Sequence, residues 1–185
     1  MKKLGILFVV LCALGVHAQE VKNDNEQDRK EIKVDKKNER KEMLAQNLDS
    51  LTKMINQKAF ALEASMIRDR YQTYNVLQDN NFIKVDGDEV IIQTANASRI
   101  GRNGMGGVTV RGQMISYDVT EAKNNTSVIM TVSTFALGTV NINLSVNSIG
   151  NATAYINGNF GLRATFIGDI VAINDVRQFE GMPQF

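Results

Sequence analysis

Three stretches of this chain have residue types at a spacing that could do chemistry. Ser50-Leu51-Thr52-Lys53 sets a hydroxyl and an amine three residues apart. This is the S-x-x-K pattern in which a lysine helps activate a nucleophilic serine. The companion S-D-N and K-T-G stretches are absent, so a short coincidental match on a helix is the stronger reading. Asp86-Gly87-Asp88-Glu89 clusters three carboxylates that could attract calcium. It lacks the spaced oxygen ligands of a full calcium loop, and Asp-Gly between two β-rich runs reads as a hairpin turn. Gly101-Arg102-Asn103-Gly104-Met105-Gly106-Gly107 is a glycine-rich loop. No Lys-Ser/Thr follows it and a strand rather than a helix comes next, so it is neither a P-loop nor a dinucleotide fingerprint. Its simplest use is a tight connection, but a loop carrying Arg99 and Arg102 is also the best place to seek a ligand. The binding candidates are therefore Arg99, Arg102, Gly104, Gly106 and Gly107.

The other reactive residue types lie in a leader. Lys2 and Lys3 precede the apolar run Leu4 to Leu14, and Val16-His17-Ala18 fits a small-residue cleavage site. Met1 to Ala18 thus reads as a secretory signal peptide, with the mature chain starting at Gln19. The run is too short to span a membrane, and no other apolar stretch reaches spanning length. Acylation at Cys12, giving an outer-membrane lipoprotein, is the alternative. It is disfavoured because Leu11 is large for such a site and the apolar run would be cut in half. Cys12 and His17 are the only Cys and His in the chain. Cleavage after Ala18 therefore leaves no disulfide, thiolate nucleophile, imidazole base or Cys/His metal site. No catalytic residue, metal site or cofactor is expected. Removing Lys2 and Lys3 from 21 basic residues leaves 19 against 20 acidic, which is not the basic excess of a nucleic-acid protein.

The elements that must position any site follow in order. Residues 19–41 are a dense mix of charges, with eight acidic and eight basic residues between Glu20 and Glu42, and are expected to be a disordered linker. Leu44, Leu48, Leu51 and Ile55 recur at helical spacing and predict an amphipathic helix over 42–57. Phe60, Leu62, Ala64 and Met66 alternate with smaller or polar residues and predict the first strand. Short strands follow around the Asp-Gly turn. Val108 to Val119 reads as a long strand whose phase slips near Gly112, which suggests a bulge. From Val140 to Phe166 the chain reads as a meander. Asn157-Gly158 reads as a two-residue hairpin turn, which puts Thr153 and Tyr155 on the face of Phe160 and Leu162; a two- or four-residue turn around Gly150-Asn151 puts Leu144 and Val146 on that same face and leaves Ile156 as an apolar exception on the other. The domain runs from 42 to 176, with a tail over 177–185. The fold class is mainly β (α+β): an antiparallel meander sheet, curled or barrel-like, with one N-terminal amphipathic helix.

Several stretches together resemble a family of secreted proteins from Bacteroidota, domain of unknown function 4251. They are Phe60 to Ala64, Asn81 to Asp88, Asn103 to Val110, Asn147 to Ala152 and Arg163 to Gly168. The glycine loop leading into a strand is the most specific of them. The resemblance implies export and a mostly β domain, and implies no activity.

The ranking that results is a non-catalytic periplasmic or secreted domain binding a protein or small ligand in the cell envelope, then a structural envelope protein, then a hydrolase working without histidine. Intact-mass analysis of the protein purified from its own cells is expected to show a chain starting at Gln19. A chain starting at an acylated Cys12 would reverse that expectation.

Overall fold

A computed structural model describes residues 32–95, 107–159, 163–175 and 180–181. The leader, with Cys12 and His17, lies outside these residues. The chain divides into two compact units, Met1–Met43 and Leu44–Phe185. Residues 32–56 are helical (α1), and in the first unit every described side chain is exposed. The linker expected over 19–41 is thus helical from residue 32 onward, in keeping with the helix propensity of its Lys, Glu and Arg.

The second unit holds the rest of α1 and nine strands. These are β1 Ala59–Arg68, β2 Thr73–Asn75, β3 Phe82–Asp86, β4 Glu89–Thr94, β5 Val108–Ala122, β6 Asn125–Thr134, β7 Gly138–Asn147, β8 Asn151–Gly158 and β9 Arg163–Ala172. They form one antiparallel sheet in the order β2-β1-β3-β4-β5-β6-β7-β8-β9, and β9 also pairs with β1. Eight strands therefore close a barrel, and β2 adds to the end of β1 through Met66, Ile67 and Arg68. Of the curled and barrel-like forms expected, the closed ring is the one adopted.

A barrel of eight strands is about wide enough for its own side chains to fill. Phe60, Leu62, Val85, Met130, Ile142 and Phe166 fill it, each at 1% exposure or less. Burying each contributes about 1.5–3 kcal/mol. Leu51 and Ile55 of α1 belong to the same core. The helix lies against the end of the barrel where β5 finishes and β6 begins. There the Thr52 and Thr126 hydroxyls share a 2.6 Å hydrogen bond, Asn47 Nδ2 donates to the Ser148 carbonyl, and the Tyr117 hydroxyl donates to the Ile55 carbonyl at 2.7 Å. Burial raises the Tyr117 pKa and keeps the phenol protonated. The helix ends at Lys58, whose φ of 53° lies in the left-handed region. A non-glycine residue there costs about 1–3 kcal/mol. Lys58 is held by its ion pair to Asp88 (2.8 Å) and by the Tyr117 ring, 5.4 Å from its Nζ.

Three expectations about phase change. The bulge in β5 falls between Met114 and Ser116, not at Gly112; Ile115 is the extra residue and is 63% exposed, while Tyr117 and Val119 turn inward. In β1 a second bulge between Ala64 and Met66 sends Ile67 inward in place of Met66. The meander register is shifted by one residue from the expected one. Val146 pairs with Ala152, Leu144 with Ala154 and Ile142 with Ile156, so Ile156 is core and Tyr155 is 57% exposed. The cause is the β7–β8 turn. It holds three residues, Ser148-Ile149-Gly150, with Gly150 at φ 91°. An odd turn reverses the parity that a two- or four-residue turn would set. The Asn147 side chain clamps it by accepting from the Ile149 and Asn151 amides. Asn157 and Gly158 are not a turn; they lie in β8, paired with Asn141 and Val140 of the long β7.

The barrel wall is not wet all round. Phe82, Ile91, Gln93 and Thr109 face outward from β3, β4 and β5 yet are at most 4% exposed. The continuous apolar runs Phe82-Ile83 and Val90-Ile91-Ile92 are the mark of strands buried on both faces. Part of the predicted tail reaches this face. Glu180 pairs with Lys84 (3.0 Å) and Arg111 (2.8 Å), and the Gly181 amide donates to Gln93 Oε1.

Ring closure requires glycine at 168. A Cβ there would collide with the Glu63 carbonyl and come within 2.8 Å of the Ala64 Cα, beside the β1 bulge. Gly168→Ala is expected to destabilise the domain by about 1–3 kcal/mol through overpacking. Urea unfolding followed by far-ultraviolet circular dichroism measures this. An unchanged midpoint would show that the β1–β9 seam yields freely.

Candidate functional site

The interior of the barrel is packed with side chains, so a ligand must be met on the outside. A concavity lies over β8, β9 and β1. The pairing brings Tyr155, Thr165 and Arg68 into one outward row, with Asn157 and Arg163 paired beside it. The turn after β1 adds Asp69 and Arg70. Together these residues line a groove of ≈ 390 Å³, with Ile156 and Ala164 also contributing.

Each wall has a local cause. Tyr155 reaches the surface because of the three-residue β7–β8 turn. Arg68 is the last residue of β1, and its Nε donates to Thr73 Oγ1 on β2 at 3.3 Å. The small strand β2 thus steadies one side of the groove. Asp69 organises the turn: Oδ1 accepts from the Tyr71 and Gln72 amides at 2.7 and 2.9 Å, and Oδ2 accepts from the Tyr74 hydroxyl at 3.0 Å. These hydrogen bonds, those from the Gln72 and Tyr71 amides foremost, hold its carboxyl below the ordinary value. Its charge is therefore engaged within the turn. Arg68 and Arg163 enter no ion pair among the described residues. Arg68 and Arg163 against one engaged carboxylate make a cationic groove with an exposed aromatic ring. Guanidinium forks suit carboxylate, phosphate and sulfate groups, which they bind with paired hydrogen bonds.

Of the candidates drawn from the glycine loop, Arg99, Arg102, Gly104 and Gly106 lie outside the described residues. Gly107 stands at the mouth of the β4–β5 hairpin, where a Cβ would meet the Thr94 carbonyl and the Ala95 Cα. Close backbone approach alone accounts for that glycine. The Ser50 hydroxyl donates to the Gln46 carbonyl of its own helix at 3.0 Å. Gly87 and Asp88 form a two-residue turn between Asp86 and Glu89, as the Asp-Gly signal implied. Among the described residues no three His, Cys, Asp or Glu side chains are gathered to hold a metal ion, and no helix is long and apolar enough to cross a membrane.

Residues 68–70 read only as a polar loop in the sequence, and Arg163 as part of a strand. Nothing along the chain joins Arg68 to Arg163, which are 95 positions apart; only the closing pairing of β9 with β1 brings them together. A second feature also escaped notice. Asn81, Gln93 and Thr109 form a buried polar group, in which Thr109 Oγ1 donates to Gln93 Oε1 and Asn81 Oδ1 accepts from the Ala95 amide. It satisfies backbone at the β3–β4 end and reads as structural.

Ring, packed helix and outer groove define an antiparallel eight-stranded barrel with a candidate site on its wall. The model of the domain of unknown function DUF4251 matches residues 39–170. The fold is shared with the crystal structure of a DUF4251 family protein from Bacteroides eggerthii DSM 20697, which is 30% identical with a TM-score of 0.58, over 70% of this chain and 90% of that one. Among curated proteins nothing matches. The chain belongs to the DUF4251 family.

The lowered Asp69 pKa sets a sign for pH. Its stabilising share is complete above the ordinary value of 3.8 and is lost as pH falls through the lower folded value. The 69–74 turn is therefore expected to loosen only on strong acidification, seen by NMR as a loss of protection of the Tyr71 and Gln72 amides relative to their intrinsic exchange rate at each pH. In Asp69→Asn the same amides should already lack that protection at neutral pH and lose little more with acid.

Proposed function

We propose that this is an exported, non-catalytic domain that binds a small anionic group, carboxylate, phosphate or sulfate, in the groove over β8, β9 and β1. The observation that carries the reading is the convergence of Arg68, Arg70 and Arg163 with Tyr155 around one concavity. The groove stands on strands of a closed barrel, and rigid elements hold binding groups more closely than loops do. The leader-like first eighteen residues support export to the periplasm or beyond.

A binding role also fits the other candidate chemistry. The Ser50 proton is committed to Gln46, and the carboxylate cluster is a hairpin turn whose Asp88 is paired with Lys58. Cleavage after Ala18 would remove the lone Cys and His. The glycine loop keeps its earlier standing as a place for a partner, through Arg99 and Arg102.

Titration with sodium phosphate and with galacturonate, followed by amide chemical shifts, tests the groove. Shifts are expected at residues 68–70, 155–157 and 163–165, and should weaken as salt rises, because exposed charges are screened. Arg163→Ala or Arg68→Ala should each weaken binding by about tenfold, the usual size of a lost hydrogen bond to a charged group. Shifts that ignore both substitutions, or no shifts at all, would remove the groove as the site.

A further inference from the structure

We infer that the groove is one end of a longer site and that its ligand is an acidic oligosaccharide lying across β8, β7 and β6. This rests on the groove being an anion site.

The observation is a lack of charge. Between Lys123 and Arg163 the chain runs for 39 residues without an Asp, Glu, Lys, Arg or His, although 22% of the whole chain is charged. These residues make β6, β7 and β8. Their inward side chains are the barrel core. Their outward side chains include Ser127, Ile129, Thr131, Asn141, Asn143, Thr153, Tyr155 and Asn157 in alternation with it. A solvated strand face ordinarily carries Lys, Glu and Thr. Asn is a poor strand former, so Asn141, Asn143 and Asn157 at exposed positions are not there for the sheet's stability.

What such a face can do follows from its chemistry. Asparagine amides and threonine hydroxyls both donate and accept, and match the neutral hydroxyls of a sugar without setting a charge against them. Thr131 Oγ1 already donates to Asn141 Oδ1 at 3.0 Å, which fixes that amide. Tyr155 pairs across β7 with Asn143, and Asn143 with Ile129. Two exposed apolar side chains, at 57% each, therefore flank an amide in one row. That row continues through Thr165 to Arg68, and the adjacent one runs Thr131, Asn141, Asn157, Arg163. Both rows are neutral and hydrogen-bonding for most of their length and cationic at the groove. From Ile129 to Arg68 is four of the ring's eight inter-strand steps, a contour of about 19 Å that curves with the barrel wall. The complement is a chain with a hydroxyl-rich body, apolar ring faces and a carboxylate. Single-stranded nucleic acid would want several stacking rings and a continuous basic track, and the face has one ring and no charge.

Isothermal titration of the mature chain decides. The probes are galacturonic acid, its linear hexamer, the unsulfated chondroitin hexasaccharide, neutral cellohexaose and hexaglutamate. One of the acidic hexasaccharides is expected to bind at least about tenfold more tightly than galacturonic acid. Asn141→Ala and Asn143→Ala, both at exposed positions, should cost the hexasaccharide about three- to tenfold and leave the monosaccharide unchanged. Arg163→Ala should weaken both. Thermal unfolding of each variant at the wild-type temperature secures the comparison. A hexasaccharide no tighter than the monosaccharide, with both weakened by Arg163→Ala, overturns the extended site and leaves the groove standing. Hexaglutamate binding as tightly and indifferent to Asn143→Ala overturns the sugar class in favour of an acidic peptide. Cellohexaose binding as tightly removes the acid from the recognition. No binding of any acidic probe overturns the inference and the anion groove together.

Discussion

The pairing of β9 with β1 is the contact on which everything else rests. It joins the first strand of the domain to the last, leaves the eight-stranded wall with no open edge apart from the short added β2, and encloses one apolar core. Edge closure removes the unpaired backbone groups that would otherwise invite aggregation. The closure is tight. At its centre the β1 backbone bulges and the β9 backbone passes so close that residue 168 has room only for hydrogen. Pairing of the first and last strands carries a large sequence separation, so the seam depends on the rest of the barrel being in register.

Closure also decides where function can lie. The inside is filled, and α1 packs Leu51 and Ile55 into the same core. Part of the wall, at Phe82, Ile91, Gln93 and Thr109, is buried on its outer face too, with Glu180 and Gly181 reaching it. Open among the described strands are β5 from Arg111 onward, the wall of β6 to β9 and the end of β1. Arg68 and Arg163 meet there because the ring is closed, and Tyr155 joins them because one turn has three residues rather than two. Had that turn been even, Tyr155 would be in the core and Ile156 in water. Gly150 thus acts at a distance on the chemistry of the groove: it sets which face of β8 the solvent sees.

The charges divide by role. Lys58–Asp88 ties the helix end to the β3–β4 hairpin, and Lys84, Arg111, Glu89 and Glu180 form a small network on the covered face. These pairs are partly exposed and contribute little each. Arg68 and Arg163 stand apart from both sets among the described residues, beside β6 to β8, which carry no charge. A solvated surface with positive charge at one end and only amides and hydroxyls beyond it has a direction built into it.

Much of the fold was legible in the residues alone. Alternation in Phe60 to Ala64, Val128 to Val132 and Val140 to Val146 named the core strands, and the four-residue stripe from Leu44 to Ile55 named the helix, because periodicity is a local property. Asp86-Gly87-Asp88-Glu89 announced its turn for the same reason. The family was legible too, from the glycine loop and the strands around it. The candidate site was not. Its arginines are 95 residues apart and become neighbours only through ring closure. Tyr155 stands on the face opposite to the one its alternation predicts, because the β7–β8 turn holds three residues and β7 is long enough to keep pairing through Asn157-Gly158. Local pattern says that a strand has an apolar face. The turn lengths and the closing pair, which are tertiary facts, decide which residues share that face and which stand opposite it.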